Sequence, residues 1–196
     1  MLGLIPPENQ EYSLRDIFAG LIALVNTGNK YNAIKIDGIG SCIPTRSARV
    51  AIHTAIKVLN LPTGARIGVP LYCCPVVFKA IESAGCKHCF IDVAIETYCM
   101  SAEDLFRKRN ELDAVIAVHM FGNTCNMPAL LDVVQGKPII EDCAQSLGSK
   151  LNGHMTGTFG TISTFSFNSG KYLSVGEGGA LFSNQQNLFF PKLHVL

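Results

Sequence analysis

Residues 139–179 read IIEDCAQSLGSKLNGHMTGTFGTISTFSFNSGKYLSVGEGG, and the rest of the chain is best understood from this stretch. An apolar run ends abruptly in Glu141-Asp142, a glycine-punctuated loop follows, and a β-rich alternating run closes on Ser166-Phe167. Lys171 stands between Ser169-Gly170 and the GEGG of 176–179. A carboxylate at the end of a buried strand must be paired or face a cleft, because an unpaired buried charge is costly. A lysine in a partly buried site loses affinity for its proton and becomes a nucleophile able to form a Schiff base. Acid and lysine together are one way to hold a cofactor covalently. Each also has a plainer reading. Asp142 can cap the short CAQSLG turn, and Lys171 can be a solvated lysine of a surface turn.

Upstream of this stretch, strands alternate with helices. Ser13 to Val25 (SLRDIFAGLIALV) and Ser47 to Leu59 (SARVAIHTAIKVL) carry apolar residues at helical spacing behind a serine cap, and Pro62-Thr63-Gly64 stops the second. Helices are also predicted at Cys74 to Ala84, with Pro75 in the first turn, and at Pro128 to Val134. Ser101 to Arg109 reads as a helix capped by Ser101, with acids at 103 and 104 where the helix dipole favours them. Strands are predicted at Arg66 to Val69, Cys89 to Val93, Ala114 to Val118, Pro138 to Ile140, and in TISTFSF and GGALFSN; Asn187 to Leu196 carries no clear element. The wholly apolar AVIAV of 114–118 implies burial on both faces, as in a parallel sheet covered by helices. Such sheets bind ligands at the carboxyl ends of their strands. Leu71 to Cys74, His119 to Gly122 and Glu141-Asp142 all fall at such ends.

Composition narrows the function classes. The chain has 196 residues, 16 basic and 15 acidic, for a net charge of +1. That balance gives no electrostatic case for nucleic acid or an anionic membrane as partner. A hydrophobic content of 48% against 16% charged residues argues against a disordered chain. No apolar run reaches the roughly 20 residues of a spanning helix. The N-terminus MLGLIPPENQEYS lacks the basic-then-apolar order of a secretory signal, so a cytoplasmic protein is expected. Eight scattered cysteines then read as reduced thiols. Cys86-Lys87-His88-Cys89 is formally a CxxC, but no second ligand pair stands at suitable spacing and no metal is expected; Cys89 reads as a strand residue. Ser166 and the helix start Ser47-Ala48-Arg49 are candidate anion ligands, since backbone N–H groups at a helix N-terminus attract negative charge. Arg49 can add a charge-assisted bond or simply be solvated.

Five blocks occur in order between Pro44 and Asn184: SARVAIHTAIKVLNLPTGARIGVP, GCKHCFIDVAIETYCMSAEDL, AVIAVHMFGN, IIEDCAQSLGS and GTFGTISTFSFNSGKYLSVGEGGAL. Together they resemble the large domain of the DegT/DnrJ/EryC1/StrS family, the sugar aminotransferases that use pyridoxal phosphate (PLP). The resemblance implies an α/β fold, the fold type I large domain of PLP transferases, with a mostly parallel sheet flanked by helices as in aspartate aminotransferase. It divides the chain into an N-terminal helical segment, 1–43, and a PLP-binding large domain, 44–196, with the family's C-terminal small domain absent. Lys171 would be the Schiff-base lysine and the proton carrier. Asp142 would pair with the pyridine nitrogen and Gln145 would bond near the phenolic oxygen. Ser166 would bind the phosphate with backbone donors at Ala48 and Arg49, where the family usually carries Gly-Thr. Cys74 falls on the ring-stacking position, commonly aromatic, with Tyr72 two residues away, and His119 supports the site. The implied reaction moves an amino group from a donor, commonly glutamate, to a keto sugar, usually nucleotide-linked, in amino-sugar or surface-polysaccharide biosynthesis. The implied assembly is a homodimer of the full-length form, with no nucleic-acid or membrane partner. Some relatives replace the lysine with histidine and run dehydrations, and Lys171 argues against that branch. The alternative is a truncated, non-catalytic binding or regulatory protein. As a truncated family member the chain alone is expected to turn over poorly, whereas the non-catalytic alternative predicts binding with no half-reaction.

Overall fold

A computed structural model of the chain describes Arg15 and residues 33–185. The helix expected at 13–25 and the tail from 187 lie outside the described residues, Arg15 apart. Five strands form the parallel heart of the sheet: β3 (Arg66–Pro70), β4 (Lys87–Ile91), β5 (Ala114–Val118), β6 (Ile139–Asp142) and β9 (Ile162–Ser166). β10 (Gly179–Phe182) joins β9 antiparallel, β2 (Gly40–Thr45) joins β10, and β1 (Ile34–Ile36) joins β2, both antiparallel. The order across this sheet is β1-β2-β10-β9-β6-β5-β3-β4. A two-stranded ribbon, β7 (Lys150–Leu151) and β8 (His154–Met155), stands apart from it.

Side-chain alternation along β5 explains the layering. All five residues of this strand are buried. Ala114, Ile116 and Val118 join one apolar cluster, with the inner faces of α1 (Ala48–Val58) and α2 (Pro75–Ser83). Val115 and Ala117 join the opposite cluster, with Leu105 of α3 (Ala102–Lys108) and Leu130 of α4 (Met127–Val134). Helices therefore cover both faces of the parallel strands, as the apolar run implies. A short 3-10 turn, Arg109–Glu111, extends α3. A third cluster, around Phe165, Phe167 and Phe182, fills the antiparallel side.

Helix starts follow the side-chain chemistry. The Ser47 hydroxyl accepts from the Val50 N–H at 3.3 Å and caps α1, and Ser101 accepts from Asp104 at 3.3 Å to cap α3. Asn126 caps α4, which starts at Met127, one residue before the expected Pro128. Three expectations shift. β4 begins at Lys87 rather than Cys89 and ends at Ile91. β6 runs on through Glu141 and Asp142, because both pair with β5 and β9 and their carboxylates find N–H donors in the adjoining loops. Residues 34–36 and 40–43, inside the segment read as helical, are strands, and β2 runs across the expected 43/44 boundary to Thr45. Among the described residues no helix is long and apolar enough to cross a membrane.

Candidate active site

The carboxyl ends of β3, β5, β6 and β9 open onto one cleft of about 230 Å³ beside the N-terminus of α1. All seven residues singled out from the sequence line it: Ala48, Arg49, Cys74, Asp142, Gln145, Ser166 and Lys171. They come from five separate places in the chain and meet because parallel strands end on one side of the sheet. Ser47, His119, Ala144 and Asn168 complete its polar lining.

Asp142 is the last residue of β6 and is 4% exposed. Alternation turns it to the α1 side of the sheet, the side of Ile140, while Glu141 faces the other way. One carboxylate oxygen accepts from the Ala144 N–H at 3.0 Å. This turn-capping bond and the position in the cleft wall coexist, so the two sequence readings of Asp142 are not exclusive. Burial pushes its pKa up; the Ala144 bond and the nearby Lys171 charge oppose that rise without cancelling it. A carboxylate in this position favours a cationic partner in the cleft.

Lys171 follows β9 in a turn closed by its own N–H on the Asn168 carbonyl at 3.1 Å. It is half-buried, neither a fully solvated nor an enclosed lysine. Its ammonium acts on the Asp142 carboxylate through space, without a direct ion pair. Ser166 ends β9 and is buried. Opposite it, the first residues of α1 offer the N–H groups of Ala48 and Arg49, which lack i−4 partners within the helix. Gly179 makes this approach possible. A Cβ there would lie 2.6 Å from the Ala48 nitrogen and 2.9 Å from the Phe165 carbonyl oxygen. An anion between Ser166 and the start of α1 is thus met by aligned donors, a helix dipole and the exposed Arg49. These features fit the phosphate and pyridinium ends of a PLP-like group.

Gln145 is engaged on one side. Its side-chain oxygen accepts from the Phe121 N–H at 3.3 Å and its carbonyl accepts from Gly122 at 2.9 Å. Its NH2 is therefore the group left to offer a ligand, which suits an acceptor such as a phenolic oxygen. Cys74 is the exposed N-cap of α2, without a side-chain capping bond. Tyr72 is not part of the cleft wall. It packs at 5.7 Å from Tyr98 and 6.2 Å from Phe121, outside the lining.

His119, in the cleft wall, and Glu141 behind it make a buried pair, each 0% exposed. The His119 Nδ1 accepts from the Cys125 N–H at 3.0 Å, so Nε2 carries the ring proton and donates it to Glu141 Oε2 at 3.1 Å. Burial alone would push Glu141 up, but bonds from His119 and from the Gly160 and Gly157 backbone outweigh it and hold the acid below its ordinary range. His119, Glu141 and Cys143 bring potential metal-ligand atoms within 4.8 Å of one another. The protonated Nε2 has no lone pair to give, and the pair is a hydrogen bond instead. The CxxC of the sequence is likewise ordinary structure: Cys89 lies in β4, Cys86 just before it, and all eight cysteines are free thiols.

Sequence reasoning missed Glu141 and Asn168. The signal for Glu141 was present: in a strand, adjacent acids face opposite sides, so two environments were needed. Asn168 had no such signal, because its place depends on the turn at Lys171.

The chain is similar to known proteins. A GDP-perosamine synthase from Escherichia coli O157:H7 is 36% identical over 148 residues, covering 74% of this chain and 41% of that protein. An L-glutamine:2-deoxy-scyllo-inosose aminotransferase from Streptomyces fradiae is 30% identical over 156 residues, covering 77% of this chain and 36% of the relative. The chain thus spans about two fifths of the length of these relatives. In fold, it resembles Spr1654 of Streptococcus pneumoniae in its PLP form, with a TM-score of 0.81 at 19% identity over 94% of this chain and 54% of that one. The sequence profile of the DegT/DnrJ/EryC1/StrS aminotransferase family matches residues 34–190, and the chain belongs to that family.

Proposed function

We propose that this chain supplies the cofactor-holding part of a PLP-dependent sugar aminotransferase. The observation that carries the reading is the convergence of Lys171, Asp142, Gln145, Ser166 and the α1 N-terminus on one cleft. When bound, PLP supplies the electron sink for a carbanion on the amino donor or acceptor. The chain's own residues do the rest. Asp142 would face the pyridine nitrogen and, as a carboxylate, would keep that nitrogen protonated. Gln145 offers its NH2 to the phenolic oxygen. Ser166 and the N–H groups of Ala48 and Arg49 fix the phosphate. Cys74 lines the ring's surroundings with a thiol where relatives place an aromatic side chain. Lys171 would hold the cofactor through its Nζ and, once that amine is free, would serve as the base that carries the proton.

The acceptor we propose is a keto sugar, nucleotide-linked as the name of the Escherichia coli relative suggests, and the setting is amino-sugar or surface-polysaccharide biosynthesis in the cytoplasm. Glutamate is the first choice of donor, and the Streptomyces relative favours glutamine as the second. The exposed cluster of Tyr72, Tyr98 and Phe121 supports a homodimer in the full-length form, since contiguous exposed aromatic surface marks interaction sites. The domain division we propose keeps 44–196 in the large domain and adds to it the β1–β2 hairpin, which pairs with β10.

The test is a half-reaction. Protein reconstituted with PLP is mixed with glutamate or glutamine, and the cofactor's absorbance is followed while the released keto acid is assayed. We expect conversion with one donor and none in Lys171→Ala. Cofactor binding with no conversion by either donor would favour the non-catalytic alternative.

A further inference from the structure

Glu141 is the most heavily bonded side chain in the described structure, and the chemistry proposed for the cleft does not use it. Its Oε1 accepts from the N–H groups of Phe159, at 2.7 Å, and Gly160. Its Oε2 accepts from the Gly157 N–H at 2.8 Å and from His119 Nε2 at 3.1 Å. Two of these donors belong to glycines with no room for a side chain. A Cβ on Gly160 would lie 2.8 Å from the Ile139 carbonyl oxygen, and one on Gly157 would lie 2.6 Å from the Phe165 ring. His119 also holds the next residue, its N–H donating to the Asp142 carbonyl at 3.1 Å. From the other side, the Cys143 N–H donates to Thr164 of β9 at 2.9 Å.

We infer that Glu141 and His119 are positioning residues for Asp142, fixing the dipeptide 141–142 so that the Asp142 carboxylate meets the cofactor's ring nitrogen. This rests on the PLP reading of the cleft. The hold is directional. The Cys125 N–H points into Nδ1, Nε2–H points into Oε2, and three backbone N–H groups point into the same carboxylate. Glu141 therefore cannot be replaced by its amide without conflict. Whichever way a glutamine is turned, its NH2 faces N–H donors. At His119, the two amides divide the ring's contacts. Glutamine places an NH2 near the Nε2 position and keeps the bond to Glu141. Asparagine places its oxygen near Nδ1, keeps the Cys125 bond, and loses Glu141.

The experiment compares Glu141→Gln, His119→Gln and His119→Asn in the full chain. PLP affinity, the ratio of the two absorbance bands of the bound cofactor, and Tm are measured. Glu141→Gln and His119→Asn are expected to change the band ratio and weaken PLP binding by about 10–100-fold, the range found when a group that orients a ligand is removed. His119→Gln, which keeps the bond to Glu141, is expected to change both less than His119→Asn does. A simple structural staple would lower Tm and leave the band ratio alone. Should Glu141→Gln fail to fold, the two His119 variants decide. Equal behaviour of these two, or a folded Glu141→Gln with the wild-type band ratio and affinity, would overturn the inference. A wild-type chain that takes up no PLP would overturn the cofactor reading itself and this inference with it.

Discussion

At the residue scale, the site turns on a carboxylate that is uncomfortable in the free protein. Asp142 is buried, receives one backbone hydrogen bond, and has its pKa raised by desolvation. An acid whose folded pKa exceeds its unfolded value binds more protons when folded. Stability of the free protein therefore falls as pH rises from the unfolded value through the folded one. Asp142→Asn removes that cost. The variant is expected to melt higher than wild type without cofactor at neutral pH, and to run the donor half-reaction about 100-fold slower or worse, as when a charge-stabilising group is lost. Melting scans with and without PLP, beside single-turnover rates, check both signs; a less stable free protein would contradict the account. Legibility at this scale was partial. Type and spacing alone left Asp142 open between turn cap and cofactor partner, and the Ala144 bond explains why: the side chain caps the turn with one oxygen while it lines the cleft. Lys171 was just as open, and only its meeting with Asp142 across two strands distinguishes it from a surface lysine.

At the element scale, the parallel strands and their helices were readable because each carries its own signal. The serine caps at 47 and 101 and the apolar run of β5 are local features, and the structure keeps them. The β1–β2 hairpin was not read. β2 holds Pro44, and proline argues against an interior strand. Pro44 faces Ala180 of β10, and among the described residues the pairing with β1 ends at Cys42. The β7–β8 ribbon did have a signal in Asn152-Gly153, whose positive φ values of 51° and 81° suit a two-residue hairpin turn. The close seat of α1 against β10 depends on Gly179. Gly179→Ala must push the start of α1 away from the sheet, at about 1–3 kcal/mol. Because Ala48 and Arg49 move with it, PLP affinity is expected to fall more than the loss in Tm alone would cause. An isothermal titration with PLP, next to a denaturant curve, separates the two effects.

At the scale of the whole molecule, the described residues bring the proposed cofactor ligands into one cleft and leave several large apolar side chains exposed. Tyr72, Tyr98 and Phe121 stack as a trio at the carboxyl end of the sheet, 45–57% exposed. Tyr98 and Phe121 both hold left-handed φ values, a conformation costly for residues other than glycine. The order of the five sequence blocks made the family legible, while this rim was not, because its rings come from three separate loops. The central claim is that this chain carries PLP on Lys171, and one measurement tests it most directly. The purified chain is incubated with PLP, reduced with borohydride, digested, and mapped by mass spectrometry. The account expects a single pyridoxyl-phosphate adduct on the peptide bearing Lys171, lost in Lys171→Ala. An adduct spread over other lysines, or none on a folded chain, would contradict it.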